Sequence, residues 1–185
     1  MVVIAGPNGA GKSTFYRAFF EETGLPFVNA DFIAREVGAG DVYEAAMQAA
    51  MMRHEYVAQR DSFIFETVLS DPVGDKIDFL KDAADTGYAV VLCFIGLAGP
   101  EISEARVAMR VSQGGHDVPA DKLRARFPRS LENLKRAVAK LPYVRIYDNS
   151  DLKKPFLLVA EYHASRLFKK VAQPPAWLVP LQLPA

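Results

Sequence analysis

"GPNGAGKST", residues 6–14, decides the fold. It has the form G-x-x-x-x-G-K-[ST], a loop whose backbone N–H groups cradle phosphate. The apolar run Val2-Val3-Ile4-Ala5 precedes it and Phe15-Tyr16-Arg17-Ala18 follows. The motif therefore stands where it must, between a strand and the start of a helix. Gly6 and Gly11 supply backbone angles closed to other residues. Lys12 is placed to reach the β- and γ-phosphates, and the Ser13 hydroxyl to ligate Mg²⁺. Asn8, Gly9, Ala10 and Thr14 complete the expected nucleotide-binding set.

Outward from the loop, four more apolar runs read as strands: Pro26-Asn29, Phe63-Glu66, Ala89-Ile95 and Val144-Tyr147. They are mostly apolar rather than alternating, as strands covered on both faces should be. Helical patterns fall near 12–22, 41–59, 72–86, 101–113, 120–140 and 155–171. This rhythm predicts an α/β phosphate-loop fold with a five-stranded parallel sheet, order 2-3-1-4-5, sandwiched by helices. Ligands then bind at the carboxyl ends of the strands. Asp71-Pro72 predicts a helix start, Gly87 its end, and Pro128 a kink or split in the helix over 120–140. The expected organisation is a domain over 1–172, with a helical lid at about 106–136, and a proline-rich tail over 173–185.

Composition narrows the class. The chain has 185 residues, half of them hydrophobic, enough for one substantial core. Lys plus Arg and Asp plus Glu are each 22, so the basic excess of a general nucleic-acid binder is missing. The single cysteine, Cys93, sits in an apolar run and reads as a buried small hydrophobe. No run is long enough for a membrane helix, and the chain starts directly on a strand, so a soluble cytoplasmic protein is expected. A transporter ATPase needs a second signature before a strand ending Asp-Glu. Ser112-Gln113-Gly114-Gly115-His116 is followed by no such strand.

Two carboxylates stand at predicted strand ends. Asp31 follows the second strand and is the candidate base for an acceptor hydroxyl, since phosphoryl transfer needs positioning, charge neutralisation and a carboxylate for the proton. Glu66 ends the third, with Thr67 next, and either holds a substrate hydroxyl or a Mg²⁺-bound water. Each also has a reading as a turn or cap carboxylate. The segment from Arg106 to Arg136 carries the cations that would cover the phosphates. Arg124, Arg129 and Arg136 each have a carboxylate at i±3 or i±4. Arg110, Arg126 and then Arg106 have none, and are the anion-binding candidates. His116 either touches phosphate or caps the next turn. Asn149, in the turn after the fifth strand, is placed to meet the adenine edge or simply to make that turn. Met47, Met51 and Met52 read as core or pocket wall.

The ordered set G-P-N-G-A-G-K-S-T, V-N-A-D-F-I-A, F-E-T-V-L-S, R-V-S-Q-G-G-H-D-V-P, R-F-P-R-S-L-E-N-L and Y-D-N-S resembles the zeta-toxin-like small phosphate-loop kinases, to about residue 170. Zeta toxins use ATP and Mg²⁺ to phosphorylate the 3′-hydroxyl of UDP-N-acetylglucosamine. The resemblance implies that Asp31 matches the catalytic aspartate, Glu66 the substrate-contacting glutamate and Lys12 the loop lysine, with Arg110 and Arg126 near the phosphate-binding arginines. It also raises an antitoxin protein as a partner. The rival readings are a kinase for a nucleoside, another sugar or an antibiotic, and a nucleotide-binding switch with no small acceptor.

Overall fold

The computed structural model describes residues 1–36, 42–115 and 117–185. Strands β1 (Val2–Ala5), β2 (Phe27–Val28), β3 (Ile64–Thr67), β4 (Val91–Gly96) and β5 (Tyr143–Asp148) form the parallel part of one sheet. Strands β6 (Leu157–His163) and β7 (Arg166–Lys170) extend it antiparallel, giving the order β2-β3-β1-β4-β5-β6-β7. The predicted order of the first five strands is present. The sheet, however, has seven strands, and no helix occupies 155–171. The reason is the turn between β6 and β7, where Ala164 and Ser165 both adopt positive φ, 46° and 66°. Hairpins usually place Gly or Asn there, and neither residue announces it.

Among the described residues six α-helices accompany the sheet: α1 (Lys12–Phe19), α2 (Ala30–Glu36), α3 (Val42–Gln59), α4 (Asp75–Asp85), α5 (Pro100–Ser112) and α6 (Ala120–Lys140). On β1, Val3 and Ala5 face one core with Phe65, Phe94, Leu80 and Leu134, while Ile4 faces another with Phe15, Ile64 and Ile95. That two-sided burial is why the strands read as unbroken apolar runs. Asp71 does not start α4. Its Oδ1 accepts the N–H of Gly74 at 2.7 Å, making a turn, and α4 begins after Gly74. α6 runs unbroken through Pro128, which is exposed.

The tail reaches the sheet. Trp177 and Leu178 are buried, and the Trp177 ring lies so close to Gly96 that a Cβ there would stand 2.1 Å from it. Its Nε1 donates to Asp148 Oδ1 at 2.9 Å. Cys93 is buried as expected, and burial pushes its thiol up to about 12. Among the described residues no helix is long and apolar enough to cross a membrane.

Candidate active site

At the carboxyl end of β1 the chain turns through Gly6, Gly9 and Gly11 at φ 141°, 71° and 88°. A Cβ on Gly6 would lie 2.2 Å from the Ile95 carbonyl oxygen, and one on Gly11 2.8 Å from Asn149 Nδ2. Glycine is required there by space and by backbone angle. Lys12 opens α1 and is buried; its Nζ donates to the Pro7 carbonyl at 3.1 Å and lies 3.7 Å from Glu66 Oε1. Burial pulls the ammonium below its ordinary value, Glu66 and then Asp31 oppose this, and Arg110 adds to it.

The two candidate carboxylates are used differently. Glu66, on β3, accepts from Ser13 Oγ at 2.8 Å and from Asn29 Nδ2 at 2.8 Å on the same oxygen. Asn29 Oδ1 in turn accepts the N–H groups of Asp31 at 2.8 Å and Phe32 at 3.2 Å, so Asn29 caps α2. Asp31 therefore sits in the first turn of a helix that begins two residues past β2. It is exposed, and its carboxylate has no hydrogen bond or ion pair among the described residues. Both carboxylates line a cleft of about 340 Å³, which Lys12, Arg53, Arg110 and Arg126 also line.

The cleft floor is the loop after β3. Thr67 lines the cleft, and its Oγ1 accepts the N–H of Leu69 at 3.1 Å. Leu69 is buried at φ 55°, a left-handed angle that a branched residue adopts only when held there. α6 does the holding. Ser130 Oγ donates to the Val68 carbonyl at 2.8 Å, and Asn133 Nδ2 donates to the carbonyls of Leu69 at 3.0 Å and Asp71 at 2.9 Å.

Several expected site residues are placed elsewhere. Arg106 does not line the cleft. Its guanidinium donates to the carbonyls of Asn149 at 2.8 Å, Ser150 at 3.3 Å and Gly9 at 3.5 Å, joining the phosphate loop to the turn after β5. Asn149 is buried and its amide is spent on that frame, donating to the Ala10 carbonyl at 2.8 Å and accepting from Phe156 N–H at 3.4 Å. Arg124 pairs with Glu104 on α5, at 2.6 Å, rather than within its own helix. Arg136 does pair with Glu132, at 3.8 Å, whereas Arg129 Nε donates to the Ala125 carbonyl. Met47 and Met51 are exposed on α3 and line neither core nor cleft; Met52 packs partly against the core. His116 lies outside the described residues. The span expected as a lid, about 106–136, covers the second half of α5 and most of α6, with Gly114 at φ 83° after α5.

Asn29, Ser130, Asn133 and Arg53 were not among the predicted residues. The first three act through hydrogen bonds to backbone groups and, for Asn29, also to the Glu66 carboxylate, which spacing does not reveal. Arg53 was legible, because positions 49, 50, 56 and 57 are Ala, Ala, Tyr and Val, so it too lacks a carboxylate at i±3 or i±4.

Mg²⁺ takes hard oxygen ligands, commonly one or two protein groups plus substrate phosphates. Among the described residues no cluster of three His, Cys, Asp or Glu is set for a metal. The Ser13 hydroxyl and Glu66 carboxylate, 2.8 Å apart beside Lys12, are a donor set that suits Mg²⁺.

Residues 39–155 match the model of the zeta toxin family, a span that includes Glu66, Arg110 and Arg126 and leaves the phosphate loop to its own motif. An uncharacterized protein of Haemophilus influenzae is 30% identical over 131 residues, 68% of this chain and 91% of that one. Among solved structures, the AvrRxo1-ORF1:-ORF2 complex with ATP is similar at a TM-score of 0.68 and 20% identity, covering 90% of this chain and 59% of that one. A chain of the PezAT toxin-antitoxin system of Streptococcus pneumoniae is similar at 0.56 and 19%, covering 80% and 66%. At these identities the likeness is one of fold, and the chain spans about three-fifths of the AvrRxo1 structure's matched chain.

Proposed function

We propose, from the premise that this chain belongs to the zeta toxin family, that it is an ATP-dependent kinase transferring the γ-phosphate to a hydroxyl of a small acceptor. The observation that carries this is the Asp31 carboxylate. Among the described residues it has no hydrogen bond or ion pair, and it lines the same cleft as Lys12 of the phosphate loop.

In this reading the loop N–H groups and the start of α1 hold the triphosphate, and Lys12 exchanges the Pro7 carbonyl for phosphate oxygens. Ser13 and Glu66 hold Mg²⁺, which when bound neutralises phosphate charge. Asp31 orients the acceptor hydroxyl and takes its proton as the acceptor oxygen bonds to the γ-phosphorus and the bond from that phosphorus to the bridging oxygen of ADP breaks. Arg110 and Arg126 lie against the charge that develops on the moving group. The kinase domain spans 1–172, and the tail over 173–185 braces the end of β5 through Trp177.

UDP-N-acetylglucosamine or a related nucleotide sugar is the first acceptor to test, on the strength of the family. An antitoxin protein is the first partner to seek, since PezAT is a toxin-antitoxin system. The test is incubation with γ-labelled ATP and a panel of acceptors that includes UDP-N-acetylglucosamine, nucleosides, sugars and antibiotics. Label in one acceptor supports the reading. Steady hydrolysis with label in none favours a nucleotide switch.

A further inference from the structure

Away from the cleft, a continuous path of contacts joins the tail to the phosphate loop. Trp177 is buried, with its ring against Gly96 at the end of β4. Its Nε1 donates to Asp148 Oδ1 at 2.9 Å, and the same oxygen accepts the N–H of Ser150 at 3.3 Å and the Ser150 hydroxyl. One carboxylate oxygen therefore gathers the tail and the turn after β5. Three donors on it fix the carboxylate, and through it the backbone of Ser150.

That turn is what frames the loop. Asn149 N–H donates to the Gly96 carbonyl at 3.0 Å, and its Nδ2 donates to the Ala10 carbonyl at 2.8 Å. Gly96 is thus engaged twice, by its carbonyl on Asn149 and by its α-carbon under the indole. Arg106 clasps the turn from the other side, donating to the Asn149 and Ser150 carbonyls and to Gly9 of the loop. Burial pulls its guanidinium below the ordinary value and the Asp148 charge opposes this, so Arg106 also feels the carboxylate that Trp177 holds.

We propose that Trp177 is a positioning residue for nucleotide binding, acting through Asp148 on the turn over 148–150, so that docking of the tail and occupation of the phosphate loop are energetically linked. With the tail docked, Asp148 holds the turn and Asn149 holds the loop in the shape that wraps phosphate. A nucleotide in the loop fastens the tail in return, because such coupling is reciprocal. This rests on the nucleotide-binding half of the kinase reading, and it gives residues 173–185 a part in nucleotide affinity.

The test measures binding of a non-hydrolysable ATP analogue with Mg²⁺ to the full-length protein by calorimetry, with the urea midpoint of each variant alongside. Trp177→Phe keeps an aromatic ring in the tail and removes the N–H donor. It should weaken analogue binding about fivefold or more, the lower end of the usual coupling between sites. Asp148→Ala should weaken it comparably, and the double variant should bind no more weakly than Asp148→Ala alone, since the tryptophan acts through that carboxylate. The chain has one tryptophan, so a single indole N–H resonance reports the bond to Asp148, and its exchange with solvent should slow when the analogue binds. Equal affinity in wild type and Trp177→Phe, whatever the loss in urea midpoint, overturns the proposal and leaves the kinase reading standing. Additive weakening in the double variant, or indole exchange unmoved by the analogue, overturns it as well. No binding of the analogue by the wild type overturns the nucleotide reading and the linkage together.

Discussion

The two sides of the cleft differ in how their polar groups are used. On the phosphate-loop side nearly every group has a partner: Lys12 on Pro7, Ser13 and Asn29 on Glu66, Asn149 on Ala10, Arg106 on three carbonyls. Elsewhere on the cleft lining, Asp31 and Arg53 have charged groups without an ion pair among the described residues, and Arg126 forms none either. The tied side is built in advance around a ligand of fixed shape. In the proposed kinase, the remaining charges would be complemented by the acceptor. A donor common to many kinases and an acceptor particular to one would leave this asymmetry.

The largest effect should come from breaking the tied side at its centre. Lys12→Ala should reduce ATP turnover to background, as a steady-state assay of ADP release would show; turnover that persists would remove the loop from the chemistry. Asn149→Ala attacks the frame rather than the ligand. It strands the buried Ala10 carbonyl, costing about 1–3 kcal/mol of stability, and should raise the KM for ATP with little change in kcat. Equal KM in the variant would mean that the frame does not set loop geometry.

The smallest effect lies away from the cleft. Glu161 is held below the ordinary carboxylate range by a hydrogen bond with His163 and by Arg145, against the opposing cost of burial. Such a group stabilises the fold above its unfolded value, near 4.5, and that stability is lost as pH falls through the lowered folded value. Glu161→Gln should therefore flatten the fall in urea midpoint below about pH 5 while leaving ATP turnover at neutral pH unchanged. An acid limb identical to the wild type would show that the pair contributes nothing.

What the sequence made legible follows the same division. The loop, the five parallel strands and their order were readable because the motif is local and two-sided burial makes unbroken apolar runs. β6 and β7 were not, because the Ala164-Ser165 turn that separates them carries no glycine, so 155–171 reads as one uninterrupted segment of helix length. Arginines with no carboxylate at i±3 or i±4 can be picked out by local spacing, and two so chosen, Arg110 and Arg126, line the cleft. The same criterion misjudged Arg106, whose partners are carbonyls at the loop and the turn after β5, and Arg124, whose partner Glu104 is twenty residues away. Local spacing cannot see a carbonyl or a distant carboxylate, and those two ligand types account for both misplacements.

The account depends most on Asp31. A single-turnover measurement of label passing from γ-labelled ATP to the accepted substrate, in wild type and in Asp31→Asn, tests it directly, with ATP-analogue affinity measured on both proteins. The account predicts unchanged analogue affinity and transfer slowed by roughly 10²-fold or more. Transfer at the wild-type rate in Asp31→Asn would contradict it.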